Sequence, residues 1–132
     1  MTSRDIRHLT PFLQRVFFNF RSWYKRMFPL RDIILTCTYR DCYEQNRLYQ
    51  QGRTTPGQRV TNIDGVKNKS MHNYNPARAF DFAVVIRGIA KWDKKYYDAA
   101  WLFFRQSHLT RKLSWGRNWK GKLKDRPHIE EV

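Results

Sequence analysis

The pattern of apolar and polar positions predicts a buried strand near the middle of the chain. Residues 79–86 form a nearly continuous apolar run that only Asp81 interrupts. A run of this length is typical of a strand with both faces covered. A carboxylate inside such a strand is costly to bury unless a cation, a metal ion or several hydrogen-bond donors compensate its charge. Asp81 is therefore the first candidate for a functional residue.

Shorter segments predict three more strands. Residues 33–39 are rich in β-formers and place Arg40 at the end of a strand. Residues 113–119 contain a short strand and a turn at Gly116, and residues 127–132 form a final strand. Arg40 lies between this first strand and a predicted helix, where side chains tend to face a cleft.

Apolar residues at three- and four-residue spacing predict a long basic helix near the start of the chain. Thr10 supplies a capping hydroxyl, Pro11 takes the first helical position, and the helix ends near Pro29. Such a helix either packs its apolar stripe on the core, which is the commoner case, or lies on an anionic membrane surface. The stripe consists of Phe12, Val16, Phe20, Trp23 and Met27.

Two further helices complete the predicted fold. Asp41 begins a short helix that Gly52 stops, and Asp93 begins another that fades out near His108. Their apolar faces are Tyr43, Leu48 and Tyr49 in the first, and Tyr97, Ala100, Trp101 and Phe104 in the second. We therefore expect an α+β fold, in which two or three helices pack against a small, mainly antiparallel sheet.

Length and composition favour one globular domain with an anionic partner. The chain has 132 residues, 16% of them aromatic, and a net charge of +15. We expect a single domain over residues 1–132, whose charge favours nucleic acid, lipid head groups or an acidic cell-wall polymer. Cys37 and Cys42 are expected to be free thiols, and neither has Cys or His neighbours in sequence that would form a metal site.

The N-terminal residues contain several charges and no apolar core of a secretory signal. No apolar run approaches the roughly 20 residues that span a bilayer. We therefore expect synthesis in the cytoplasm without a signal peptide, so that any role outside the cell needs a separate exit route.

Two histidines and two carboxylates supply enough donors for a catalytic zinc site. His72, Asp81 and His128 would leave a fourth position for water, and Asp125 is placed to accept a proton from that water. Glu130 shares a strand face with His128 and is the competing candidate, as the base or as a partner of that histidine. Each residue also has an ordinary explanation, such as an ion pair between Asp81 and Arg40 or Arg78.

The polar segment 52–70, which leads into His72, is expected to be a long loop. Loops of this length in compact domains are often functional, but a solvated connection explains the segment equally well.

The order of these motifs resembles the D-alanyl-D-alanine carboxypeptidase and L-alanyl-D-glutamate endopeptidase family of zinc peptidases, over residues 34–130. The motifs are Thr38-Tyr39-Arg40, Glu44-Gln45 with Leu48-Tyr49, Gly52-Arg53-Thr54, Pro56-Gly57, Val60-Thr61, Ser70-x-His72-Asn73-Tyr74, Ala79-x-Asp81-Phe82, Trp115-Gly116 with Trp119, and Asp125-x-Pro127-His128. The resemblance implies one Zn²⁺ per chain held by His72, Asp81 and His128. It also implies that Asp125 is the general base, that Arg40 binds the substrate and steadies the oxyanion, and that Ser70 and Trp115 shape the substrate site.

Two departures from the family pattern affect turns. Residues 75–78 replace the usual glycine turn and put eight residues, instead of six, between His72 and Asp81. Arg117 follows Trp115-Gly116, where the family has a second glycine. Neither departure removes a proposed ligand.

The resemblance implies hydrolysis of an amide bond in peptidoglycan stem peptides. We expect an L-alanyl-D-glutamate endopeptidase that acts as a monomeric phage or prophage endolysin, is released through a holin, and has no separate cell-wall-binding domain. The positive charge would help it adsorb to anionic envelope polymers. Alternatives are a D-alanyl-D-alanine carboxypeptidase, a basic nucleic-acid-binding protein without catalysis, and a binding module with an inactive or calcium-regulated metal fold.

Overall fold

The chain forms a five-stranded antiparallel sheet with the long N-terminal helix packed on one face. The computed structural model describes residues 1–116 and 125–132. The strands pair in the order β1-β2-β5-β4, and β3 pairs with β2 along the edge that β2 also offers to β5. The strands are β1 (Asp32–Cys37), β2 (Ala79–Ile86), β3 (Ile89–Lys91), β4 (Leu113–Trp115) and β5 (His128–Glu131).

The long basic helix α1 (Pro11–Met27) packs against this sheet, as its periodicity predicts. The Thr10 hydroxyl accepts a hydrogen bond from the backbone N–H of Leu13, which caps the helix in front of Pro11. Phe17 and Phe20 of α1 contact the rings of Phe80 and Phe82 on β2, with ring centroids 5.5 and 5.0 Å apart. Val16 and Phe20 of the predicted stripe are buried, but the rest of the buried face is Leu13, Phe17 and Tyr24, and Met27 is 51% exposed. The basic residues of the helix are exposed.

The two faces of strand β2 carry different kinds of side chain. Side chains alternate along a strand, so Asp81 points away from the face that Phe80 and Phe82 share with α1. The neighbouring strand β5 alternates in the same register, because Ile129 pairs with Phe80 and His128 pairs with Asp81. The apolar core and the candidate chemistry consequently lie on opposite faces of one sheet.

Helix α2 (Cys42–Gln50) forms where predicted, but its buried face differs from the prediction. The Asp41 carboxylate caps it by accepting from the N–H of Glu44. Gln45 is 1% exposed and is the helix's buried residue, whereas Tyr43 lies in solvent. The prediction from apolar residues was wrong here because α2 buries an amide that makes specific hydrogen bonds, described below.

The helix predicted from Asp93 is divided into three short helices, α3 (Lys94–Asp98), α4 (Trp101–Phe104) and α5 (Ser107–Thr110). Between the first two the bonds tighten to three-residue spacing, with Ala100 N–H donating to the Tyr97 carbonyl at 3.0 Å. Gln106 is extended and breaks the continuation. Tyr97, Ala100 and Phe104 are buried as predicted, but Trp101 is 37% exposed.

The hairpin of β2 and β3 was not predicted. Arg87 and Gly88 form its two-residue turn, with φ angles of 51° and 76°. Positive φ at both positions matches the twist of the flanking strands, and an arginine at the first position gives a weak sequence signal for such a turn.

The remaining predicted segments agree with the structure where it describes them. Residues 52–70 contain no helix or strand, and Cys37 and Cys42 are free thiols. Trp119 and the rest of segment 117–124 lie outside the described residues. Within the described part of the chain, no helix is long and apolar enough to cross a membrane.

Candidate metal centre

The three predicted metal ligands converge at the start of β2. Asp81 lies on β2, His128 is its direct partner on β5, and His72 comes from a 3₁₀ turn, Met71–Asn73. The Asp81 Oδ1 atom is 3.2 Å from His72 Nε2 and 2.9 Å from His128 Nδ1. Both imidazole rings are buried. Donor atoms that bind zinc at its usual 2.0–2.1 Å in a tetrahedron lie about 3.3 Å apart, so the two separations from Asp81 match a zinc site. The histidines themselves belong to separate possible ligand groups that share Asp81, His72 with Cys37 and His128 with Asp125.

The other nitrogen of each imidazole has its own hydrogen-bond acceptor. His72 Nδ1 donates to the Thr38 carbonyl at 2.7 Å, and His128 Nε2 donates to the Glu130 carboxylate at 2.7 Å. These bonds fix the tautomer, so that a neutral ring in either position directs its lone pair at Asp81. Two lone pairs and a carboxylate facing one another repel unless a cation lies between them. The donor set therefore fits a divalent metal.

Without a metal, protons take the cation's place in this cluster. Burial opposes charging the rings, but the Asp81 carboxylate outweighs burial and raises the pKa of His72 to about 10 and of His128 to about 9. Burial also opposes the charged form of Asp81 and by itself would raise the pKa of this carboxyl group. The two histidines outweigh burial and hold the pKa of Asp81 well below its usual range. The cluster thus stabilises positive charge next to Asp81, whether from protons or from a metal ion.

Asp125 lies beside this cluster, as the spacing from His128 predicts. One of its carboxylate oxygens lies within 4.8 Å of ligand atoms of both Asp81 and His128. Burial raises the pKa of Asp125 to about 6, and the nearby Asp81 charge adds to this effect. A buried carboxylate with a raised pKa suits a group that must take up and release a proton near neutral pH.

The backbone around Trp115 and Gly116 holds Asp125 in place. The N–H of Asp125 donates to the Gly116 carbonyl at 3.1 Å, and Trp115 Nε1 donates to the Arg126 carbonyl at 2.7 Å. A Cβ atom on Gly116 would lie 2.0 Å from the Asp125 carbonyl oxygen, so only glycine permits this approach. Trp115 thus braces the segment that carries the candidate base, and its contact with substrate stays a prediction.

Arg40 approaches Asp81 from the side of α2. Its Nη2 atom is 3.8 Å from Asp81 Oδ2 and 3.3 Å from Cys37 Sγ, and its Nη1 donates to Gln45 Oε1 at 3.0 Å. Its Nε atom is buried and has no hydrogen-bond partner among the described residues. The guanidinium is therefore held beside the candidate metal centre with one donor still unused.

Ser70 and Glu130 support the two histidines. The Ser70 hydroxyl accepts from the backbone N–H of His72 at 3.2 Å and caps the 3₁₀ turn. Glu130 binds the far nitrogen of His128, which favours its role as that histidine's partner over the role of base. Substrate binding by Ser70 stays a prediction.

The altered turn at residues 75–78 keeps His72 and Asp81 in contact. Ala77 forms a parallel bridge with Leu9, and Arg78 N–H donates to the Met71 carbonyl at 3.0 Å. The Asn75-Pro76 peptide bond is cis. The two additional residues thus lie in a loop that is held by backbone contacts with the N-terminal segment and with the 3₁₀ turn.

Two residues at the centre were missed by sequence reasoning. The buried Cys37 thiol lies 3.5 Å from His72 Nδ1 and belongs to a second possible ligand group with His72 and Asp81. Cys37 has no histidine near it in sequence, and the fold brings His72 to it from 35 positions away, so the possible metal group was not predicted. Gln45 belongs to the Glu44-Gln45 motif but was assigned no role, because the sequence does not show which groups a polar side chain in a short helix will contact.

Comparisons with known proteins support the resemblance that the motifs indicate. The chain is 36% identical over 107 residues to the peptidoglycan L-alanyl-D-glutamate endopeptidase CwlK of Bacillus subtilis, covering 76% of this chain and 61% of that protein. It therefore spans about three fifths of the length of this relative. No family model matches the chain.

A solved structure confirms the fold class. The L-Ala D-Glu endopeptidase ChiX of Serratia marcescens superposes with a TM-score of 0.69, over 100% of this chain and 89% of that one, at 22% identity. The predicted α+β fold with a small antiparallel sheet is thus confirmed, and so is the resemblance to this peptidase family.

Proposed function

Because the chain is related to L-alanyl-D-glutamate endopeptidases, we propose that it is a zinc-dependent peptidase that cleaves this bond in peptidoglycan stem peptides. The observation that carries the proposal is the convergence of His72, Asp81 and His128, with each imidazole oriented by a separate acceptor. Asp125 and Arg40 both lie close to Asp81, and neither is needed as a metal ligand in this proposal, so both are available to act on the substrate.

His72, Asp81 and His128 would hold one Zn²⁺, which when bound polarises a carbonyl and makes water acidic enough to attack near neutral pH. Asp125 then accepts the proton of the attacking water and donates it to the departing amine. Arg40 supplies fixed positive charge that stabilises the negative oxygen developing on the scissile carbonyl. Thr38 and Glu130 keep the two histidines aligned throughout.

The +15 charge supports a further role on the cell wall, since anionic envelope polymers attract a basic protein. We propose that the enzyme is bacteriolytic and acts as a phage or prophage endolysin. Lysis of cells that express the protein with a holin, compared with cells that express it alone, tests both the role and the route of release.

Digestion of purified peptidoglycan tests the bond that is cleaved. Mass spectrometry should find new N-terminal D-glutamate, whereas release of free D-alanine would assign a D-alanyl-D-alanine carboxypeptidase instead. Metal analysis should find one zinc per chain, and a chelator should remove both zinc and activity. Full activity in metal-free protein would contradict the proposal.

A further inference from the structure

A groove of about 830 Å³ runs along the outer side of α1, between this helix and the α4–α5 region. Its lining combines apolar and basic side chains that the candidate metal centre does not use. The apolar ones include Phe12, Val16, Trp23, Phe103 and Leu109, and the basic ones are Arg15, Lys25 and Arg26.

An aromatic side chain projects into solvent from the same side of α1. Phe18 is 68% exposed and lines the groove. Arg15 and Ser22 are its neighbours one turn away along the helix. An aromatic ring exposed to this extent between polar neighbours contributes little to the core and is available to a partner.

The charge along the groove is largely uncompensated. Helix α1 carries four cations and no acidic residue. Asp32 forms an ion pair with Arg21 at 2.9 Å and approaches Lys25 at 3.9 Å. Within residues 1–116 and 125–132, Arg15 and Arg26 form no ion pair. The groove therefore presents positive charge to an anionic partner.

We propose that this groove binds the surface of an anionic phospholipid bilayer, with Phe18 inserted at the acyl boundary and Arg15 and Arg26 contacting lipid phosphates. A double-stranded nucleic acid would be bound mainly through its phosphates and would leave the apolar lining and the projecting ring of Phe18 without a partner. A bilayer interface satisfies both features, because apolar insertion and attraction to anionic head groups act together there.

The sheet makes this docking compatible with catalysis. α1 covers the face that Phe80 and Phe82 share, whereas Asp81 and the candidate metal centre lie on the other face. A membrane bound at α1 therefore leaves the metal centre accessible. The inference does not depend on the proposed peptidase activity, since membrane binding is measured without substrate.

Sedimentation with lipid vesicles tests the proposal. The protein should bind vesicles of phosphatidylcholine mixed with phosphatidylglycerol, and bind vesicles of phosphatidylcholine alone far more weakly. Arg15→Gln and Arg26→Gln should each lower the affinity about fivefold, since each cation near an anionic surface contributes by that factor. Phe18→Ser should lower the affinity about tenfold or more through lost apolar burial.

Matched substitutions outside the groove provide the controls. Lys67→Gln removes the same charge from the exposed loop, and Val66→Ser removes an apolar side chain that is 73% exposed. Neither should change vesicle binding as much as its counterpart in α1. Equal binding to both kinds of vesicle, or no binding, would overturn the proposal. So would a Phe18→Ser protein that binds as tightly as wild type, since the surface would then recognise charge alone.

Discussion

Replacing Gly116 with alanine should displace the candidate base without removing any of the proposed zinc ligands. A Cβ atom at this position would lie 2.0 Å from the Asp125 carbonyl oxygen, and real Cβ contacts essentially never fall below 3.0 Å. The two backbones must therefore separate by at least about 1 Å. This movement stretches the 3.1 Å hydrogen bond from the Asp125 N–H to the Gly116 carbonyl and carries the Asp125 carboxylate away from its position beside Asp81.

A shift of this size has a large effect on catalysis. Misplacing a catalytic group by about 1 Å can cost about 100-fold in rate, which corresponds to about 2.7 kcal/mol of transition-state stabilisation. We therefore expect Gly116→Ala to lower kcat/KM on a synthetic stem peptide by about 100-fold. The zinc content should stay at one per chain, because His72 and Asp81 lie on other segments and His128 remains paired in β5.

Gly88→Ala is the matched control. Gly88 has a positive φ of 76°, which Gly116 does not have, and a Cβ atom there meets nothing within 4 Å. This variant should lose about 1 kcal/mol of stability through backbone strain and keep its kcat/KM. If Gly116→Ala retained wild-type kcat/KM while Asp125→Asn was inactive, the contact between these backbones would not set the position of the base.

Three further predictions concern the base, the arginine and the histidines. Asp125→Asn should keep one zinc per chain and lose about 10²- to 10⁴-fold in kcat, as measured by peptide hydrolysis and metal analysis; activity near wild type would exclude Asp125 as the base. Gln45→Leu should lower kcat about tenfold with little change in KM, because Arg40 loses its acceptor at 3.0 Å, whereas Gln45→Glu should keep most of the activity. Metal-free protein should lose stability as the pH rises from about 6.5 to about 10. Burial lowers the pKa of His72 and His128, but the Asp81 carboxylate outweighs burial and raises the pKa of both. The protons on these histidines stabilise the fold until they dissociate. Thermal melts with and without zinc check this, and a metal-free stability that is constant over this range would contradict it.

The elements that hydrophobic pattern specifies were predictable from the sequence. β2 forms over the predicted residues because its apolar run is long, and α1 begins where a capping hydroxyl precedes a proline. The division of the helix after Asp93 was not predictable in this way, because its apolar residues keep helical spacing while the backbone tightens at Ala100 and extends at Gln106. Periodicity reports which face is buried and says little about whether the backbone is continuous.

Some residues of the candidate site could also be predicted from the sequence, and others could not. His72, Asp81, His128 and Asp125 were found because charged or metal-binding residue types at motif positions are visible in the chain itself. Cys37 and Gln45 were assigned no role at the site, because their importance depends on the residues that the fold places against them. Gln45 illustrates the reason, since its amide accepts from Arg40 and donates to the Ile63 carbonyl at 2.9 Å, which joins the arginine to the long loop.

The start of the chain belongs to the candidate site even though the resemblance begins at residue 34. Ser3 exchanges two backbone hydrogen bonds of 2.7 Å with the segment after β1, accepting from the Thr38 N–H and donating to the Tyr39 carbonyl. The carbonyl between them, that of Thr38, is the acceptor that orients His72. Because a histidine ligand is only as fixed as the group that holds its other nitrogen, the N-terminal segment constrains the metal centre through Thr38. The motifs therefore identify the side chains proposed to bind the metal, while residues outside the motifs help to hold those side chains in place.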